Sequence, residues 1–208
     1  ELPKIFDLII ISTNADTRLK IIEELILKYK IKYKNLILEK VLVQSLSQLK
    51  DLREIIDNEE NVWVNMPRRE MSWHKKIKSH LPCDSKLEAT IVGHDWGMAC
   101  NALHFIDLFS WWTNEILIRV NTNKLNKKWT MSKRKGFYEV KGEMKLTFSG
   151  GSKLKLISSS EKNKFLITIK SNDKEFEINL SDKNFILPSG KIIEGRELYQ
   201  SELTPKVI

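Results

Sequence analysis

The hydrophobic period changes once along this chain, and the change limits what it can fold into. Residues 6–12 (FDLIIIS) form a continuous β-branched run, the pattern of a strand buried on both faces. Thr13 and Asn14 then offer side-chain oxygens before a helix over 15–28, where Leu19, Ile22 and Ile26 recur at helical spacing. Residues 35–39 (NLILE) read as the next strand, and Ser45 with Gln48 makes a capping box for a helix ending near Asp57. Residues 61–65 (NVWVN) form a third strand, and Pro67 opens another helix. This succession predicts parallel α/β winding.

After Lys86 the texture differs. Residues 86–95 read as a strand, and a helix follows over 98–112. From Glu115 onward strict alternation takes over: ILIRV, FYEVKGEMKLTF, SKLKLISS, KFLITIK and KEFEINL. Gly150-Gly151, Lys162-Asn163 and Asn172-Asp173 punctuate these runs as hairpin turns. The expected result is a mostly antiparallel sheet with one dry face and one Lys/Glu-rich face. The chain thus reads as α/β followed by α+β, divided near Met66 into residues 1–65 and 66–208.

The helix over 98–112 is apolar almost all round, which predicts burial on most sides. At about 100° per residue, however, Cys100, Asn101, His104 and Asp107 share roughly a third of its circumference. Each buried polar group needs a partner, so such a stripe suits a cleft where protons are handled. A His104–Asp107 pair that satisfies itself beneath the sheet is the structural alternative.

Hydrophobic residues make up 41% of the 208, enough for a core, and no apolar run is long enough to span a bilayer. No secretory n-region and h-region open the chain, and Cys83 and Cys100 offer neither a disulfide framework nor metal spacing; a reducing cytoplasm fits. Net charge is +8, with 35 Lys and Arg against 27 Asp and Glu, mostly scattered as on a solvated surface. Residues 124–135 differ: they hold six basic residues, no acid and Trp129. That run is either a lysine-rich hairpin rim or a grip for single strands or phosphates; no nucleic-acid-binding motif surrounds it.

Together these stretches resemble the Gfo/Idh/MocA family of NAD(P)-dependent oxidoreductases. FDLIIISTNADTR is similar to that family's fourth Rossmann strand and the turn after it, and LILEKVLVQSLSQLKDL to its Glu-Lys-Pro strand and following helix. GMACNALHFIDLF resembles its Asp-x-Gly-x-His-x-x-Asp helix, and VNMPRREM the Asn and Arg stretch that opens its substrate domain. The resemblance covers residues 6–112, and the sheet-rich remainder matches by order and type. There are departures. The glycine-rich loop that cradles the pyrophosphate is absent, so the expectation is a fragment carrying the C-terminal half of a Rossmann-like domain (1–65) and a substrate-binding and oligomerisation domain (66–208). Val41 stands for the signature proline, Cys100 for an Asp, and Arg18 where His is frequent.

The resemblance implies an NAD or NADP enzyme acting on a sugar or sugar nucleotide, with a cytoplasmic role in bacterial surface-polysaccharide synthesis and homo-oligomers formed through the C-terminal sheet. Lys40, at a strand end, would orient the reacting hydroxyl and help relay its proton; otherwise it simply reaches solvent. His104 is the candidate general base. Asn101 would bond a substrate hydroxyl and Asp107 fix the imidazole tautomer, or both serve the core. Thr13 and Asn14 would meet the nicotinamide ribose, with Glu39 bracing the loop beside Lys40. Arg68 or Arg69 would fork to a substrate phosphate or carboxylate, one of the two facing water. Cys100 reads as a small buried filler rather than a nucleophile. Lys40 and His104 are expected to face each other across a shared hollow. A non-catalytic relative that binds a sugar or a partner through its sheet is the competing reading.

Overall fold

The computed structural model describes residues 3–56, 61–83, 85–172, 174–196 and 198–207. The chain divides into two compact units, residues 1–67 with 199–208, and residues 68–198. The sequence reading carried the second part to Ile208, whereas the closing segment groups with the first unit. There Gln200–Leu203 forms a short helix and Leu203 is buried.

In the first unit, strand β1 (Ile5–Ile11), helix α1 (Ala15–Glu23), β2 (Lys32–Glu39), α2 (Leu46–Ile55) and β3 (Val62–Asn65) build a three-stranded parallel sheet in the order β1-β2-β3. Leu36, Ile37 and Leu38 of the central strand are all 1% exposed. The burial on both faces expected of residues 6–12 belongs to β2 instead. β1 is an outer strand, and its Leu8 and Ile10 are exposed. Ile11, Ile22, Leu36, Leu38, Val43, Leu52 and Ile56 form the core between sheet and helices. The helix expected over 15–28 changes hand-hold after Glu23: Glu24–Lys28 is a π-helical stretch, closed by Tyr29 N–H donating to the Glu24 carbonyl at 2.8 Å. Ser45 caps α2 by accepting from Gln48 N–H at 3.2 Å, but Gln48 Oε1 accepts from Gln44 N–H, one residue ahead of the usual reciprocal partner. Asp57, the expected end of this helix, lies outside the described residues, as do Glu1, Asp173 and Ile208.

Arg18 holds the open ends of this sheet together. Its side chain is 1% exposed, although it sits in the first turns of α1. Nη1 donates to the carbonyls of Val41 and Leu42, the latter at 2.9 Å, and Nη2 donates to the carbonyl of Thr13. The loops that follow β1 and β2 are thereby tied to one guanidinium. Burial pulls its pKa down, while the charges of Glu39 and Asp16 oppose that shift.

The second unit opens with a 3-10 turn (Pro67–Glu70, its proline grouped with the first unit) and α3 (Ser72–His80). After β4 (Glu88–His94) and α4 (Met98–Thr113) come β5 (Leu117–Leu125), a small ribbon of β6 (Thr130–Met131) and β7 (Tyr138–Glu139), β8 (Gly142–Phe148), β9 (Lys153–Ser159), β10 (Leu166–Ser171), β11 (Lys174–Asn179), β12 (Asn184–Ile186) and β13 (Ile192–Glu194). Eight strands form one sheet in the order β13-β12-β11-β10-β4-β9-β8-β5, antiparallel except for β4 with β9. Lys162-Asn163 is therefore not a hairpin turn. β9 and β10 lie on either side of β4, so their connection steps over it. FYEVKGEMKLTF likewise holds two strands, β7 and β8, in different sheets.

Alternation sets the faces of this sheet. Ala89, Ile91, Leu146, Leu154, Leu156, Ile167, Ile169, Phe176 and Ile178 point inward, with Lys145, Lys170 and Glu175 outward. β5 departs from the pattern, being an edge strand with Ile118 and Val120 exposed. α4 lies on the inner face, where Phe109 meets Phe148 edge-on at 5.0 Å. Glu115, just past α4, accepts from the N–H groups of Gly150 and Ser152 and from the Ser152 hydroxyl, while Leu87 N–H donates to that same hydroxyl at 3.0 Å. α3 reaches the β12–β13 end, and a Cβ on Gly195 would lie 2.6 Å from the Trp73 ring.

His74 of α3 is wholly buried between Trp73 (ring centroids 4.3 Å apart) and Trp112 (5.7 Å), and neither ring nitrogen has a hydrogen-bond partner among the described residues. Burial, aided by the charge of Arg68, pulls its pKa from 6.5 to about 3.

Two tests follow from these buried groups. Arg18→Met should destabilise the protein by about 3 kcal/mol, because partly buried carbonyls lose their donors, and urea unfolding will measure it; an unchanged midpoint would show that the clamp is dispensable. Above the ordinary histidine pKa of 6.5, His74 is neutral in folded and unfolded chains alike. As pH falls from there toward 3, only the unfolded chain takes up the proton, so stability declines across that window. His74→Phe is expected to flatten that part of the pH dependence, read as the difference between the two proteins' unfolding free energies. Parallel curves for both would mean the folded imidazole protonates normally.

Candidate active site

Two groups of side chains carry chemistry, one in each unit. In the first, the C-terminal ends of β1 and β2 present Thr13, Asn14, Glu39 and Lys40, at the edge where open α/β sheets collect ligands. Thr13 is half-buried, and its hydroxyl is enclosed without a hydrogen-bond partner among the described residues. Asn14 is exposed as the N-cap of α1; its carbonyl accepts from Arg18 N–H at 3.1 Å, and its side chain makes no capping bond. Glu39 accepts from the buried Asn65 amide of β3 and lends negative charge to the surroundings of Arg18. Lys40 is half-buried just beyond β2, and the peptide joining it to Val41 is cis. A shallow open depression lined by Val41, Leu42, Val43, Gln44, Ser45, Leu46 and Leu49 follows directly after it. Arg18 is what brings the Thr13 loop and the Lys40 loop together. The sequence marked it only as a departure from the family pattern; its one signal was a charged residue on the apolar side of a short helix.

In the second unit the stripe on α4 is real but differently occupied. Met98, Ala102, Phe105, Leu108, Phe109 and Trp112 form the buried face. Asn101, His104 and Asp107 are half-buried beside it, while Cys100 is exposed. The expectation of a buried Cys100 is thus corrected: it sits in the same turn as the wholly buried Met98 but faces away from the buried side of the helix. The Asn101 side chain donates to the Trp96 carbonyl at 2.9 Å, closing the turn into the helix. Both Asp107 oxygens accept from Arg69, one from Nε at 3.1 Å and one from Nη2. Burial raises the Asp107 pKa, against the pull of Arg69. Arg68 lies over the Phe105 ring at 4.5 Å. The adjacent arginines therefore both engage α4, one through a ring face and one through a carboxylate.

Both ends of α4 are held by groups that complement its dipole. At the N-terminus, Glu139 from the β6–β7 ribbon accepts from Ala99 N–H at 3.0 Å. Gly97 caps there with φ of 72°, and a Cβ on it would stand 3.1 Å from the Asn101 amide and 3.3 Å from Glu139. At the C-terminus Lys78 donates to the Trp111 carbonyl and to Asn114 Oδ1, while Asn114 takes the left-handed position with φ of 55°. Nothing in the sequence distinguished Glu139 or Lys78 from other surface charges.

No protein-family model matches the sequence, and no curated protein matches it. Solved structures do. Biliverdin reductase from Synechocystis sp. PCC 6803, in complex with biliverdin and NADP+, matches with a TM-score of 0.69 at 14% identity, over 93% of this chain and 66% of that one. The super-repressor mutant of Gal80p from Saccharomyces cerevisiae matches at 0.66 and 16%, over 93% and 62%. UDP-N-acetylglucosamine 3-dehydrogenase GnnA from Acidithiobacillus ferrooxidans matches at 0.62 and 12%, over 92% and 65%. The chain thus spans slightly less than two thirds of the length of these proteins. By the parallel three-stranded sheet, the helix α4 and the large, mostly antiparallel sheet that follows, the chain has the fold of the Gfo/Idh/MocA-type oxidoreductases.

Proposed function

We propose that this chain serves an NAD(P)-dependent oxidoreductase that transfers hydride at a hydroxyl or carbonyl of a sugar or sugar nucleotide, in cytoplasmic steps of bacterial surface-polysaccharide synthesis. One observation carries the reading: a buried guanidinium gathers the loops of Thr13-Asn14 and of Lys40-Val41 at the ligand-collecting edge of a parallel sheet. The enclosed, unpartnered Thr13 hydroxyl fits a cofactor ribose or amide that would satisfy it. Asn14, exposed beside it, offers a second polar contact. Residues for the pyrophosphate are not among these, since the sequence holds no glycine-rich phosphate loop. Bound there, a nicotinamide supplies the hydride chemistry.

The remaining work falls to this chain's own side chains. Lys40 donates a hydrogen bond to the reacting oxygen and steadies its negative charge as the proton leaves. In the second unit His104 is the candidate general base. Asp107, engaged by Arg69, fixes α4 and with it the azimuth of His104; Asn101 does the same from the turn before the helix. Arg68 and Arg69 border the substrate through whatever share of their guanidinium edges α4 leaves open. Subunits pair through the outward face of the eight-stranded sheet.

A second reading, a non-catalytic sugar- or partner-binding relative, is favoured by Cys100 in the place of the family acid and by a repressor among the proteins that share the fold. The full-length gene product, screened with NAD(P)H and sugar nucleotides, separates the two. Lys40→Ala and His104→Ala should each lower kcat by about 10²- to 10⁴-fold with the protein still folded. Full turnover in both variants would refute the assigned roles, and the absence of NAD(P) binding by calorimetry would favour the non-catalytic reading.

A further inference from the structure

The β6–β7 ribbon carries features that neither the fold nor the proposed chemistry uses. Met131 and Tyr138 are directly cross-strand partners, so their side chains share one face of the ribbon. Trp129 immediately precedes β6, next to this ribbon. All three are exposed, at 62% for Trp129, 74% for Met131 and 56% for Tyr138. Glu139 and Thr130 occupy the other face, and Glu139 fastens the ribbon to the first turn of α4.

Cations lie before and beyond the ribbon's aromatic residues in the chain. Lys127 and Lys128 precede Trp129, and Lys133, Arg134 and Lys135 form the tip, closed by Ser132 N–H donating to the Phe137 carbonyl at 2.9 Å. Lys127, Lys128, Lys133 and Lys135 make no ion pair with the described residues. An isolated ribbon that displays a tryptophan and a tyrosine among unpaired lysines matches a ligand with a planar ring and adjacent negative charge. Two such copies would repel each other, which disfavours self-association here.

We propose that this ribbon is a binding site for the nucleoside diphosphate of a sugar nucleotide, the base stacking on Trp129 and Tyr138 and the diphosphate meeting the lysines. The proposal rests on the oxidoreductase reading, whose sugar-nucleotide option it selects. From Ala99, where the ribbon is fastened, to His104 the helix rises only about 7.5 Å, so the ribbon is tethered close to the catalytic stripe. Single-stranded nucleic acid offers the same base and phosphate chemistry. It would need cations tracking a longer backbone, whereas here they cluster about one short ribbon.

The test is calorimetric titration of the full-length protein with UDP, GDP, CDP and ADP, and with a short single-stranded oligonucleotide. At least one diphosphate should bind, and more tightly than the oligonucleotide at physiological salt. Trp129→Ala should weaken that diphosphate by about 5- to 150-fold, the loss of one base–aromatic stack. Lys133→Ala combined with Lys135→Ala should weaken it and reduce its salt dependence, with NAD(P) binding and the unfolding midpoint unchanged. Unaltered diphosphate affinity in these variants, failure of all four diphosphates to bind, or tighter binding of the oligonucleotide overturns the proposal. Because the readout is binding, a silent Lys40→Ala enzyme that keeps its diphosphate affinity speaks only to the catalytic reading. Conversely, turnover of a free sugar by a protein blind to all four diphosphates removes the ribbon site alone.

Discussion

A single buried guanidinium determines how the parallel sheet of the first unit ends. Three carbonyls, from Thr13, Val41 and Leu42, turn inward on Arg18 where they would otherwise face water. A strand-end loop has few ways to satisfy its backbone, and each unmet group costs on the order of 1–3 kcal/mol once buried. One side chain with a rigid, planar fork of donors solves that problem for two loops at once. The position of Lys40 is a consequence of this, since its own strand, β2, runs out into the loop that Arg18 grips.

The second unit relies on charge in another way. Beside the polar stripe of α4, a carboxylate meets its first turn and an amine its last. Asp107 is raised in pKa by burial and drawn back by Arg69, so desolvation works against the ionised pair and the charge and hydrogen bonds of Arg69 work for it. Breaking such a pair from one side leaves a stranded charge, which is why partners of this kind are best read together.

Much of the fold was legible because period and punctuation speak directly about backbone. Strands β2, β3, β9, β10 and β11 and helices α2 and α4 lie where alternation, capping and helical spacing put them. Pairing is harder to read. The run 6–12 has the composition of a central strand and lies at an edge, because composition does not say which neighbours a strand will find. Lys162-Asn163 has turn chemistry yet leads over β4, since a strand placed early in the chain takes the slot between β9 and β10. Of the candidate residues, Asp107 was legible as a polar group on an apolar helix, but its partner, Arg69, is 38 residues away. Arg18, Glu139 and Lys78 act on backbone atoms distant in sequence, and no local pattern announces that.

The place of β4 in the large sheet has a bearing on how the chain is made. Its parallel partner β9 begins 65 residues later, and its other neighbour, β10, later still. At ribosomal rates of roughly 5–20 residues per second, β4 emerges and then waits several seconds with both edges unpaired. Its inward residues Ala89 and Ile91 can meanwhile be covered by the helices made on either side of it, α3 before and α4 after. Such helical cover would shelter the strand until β8 and β9 arrive as a hairpin. Assembly of this half of the molecule should accordingly be late and cooperative, governed by topology more than by the strength of any one contact.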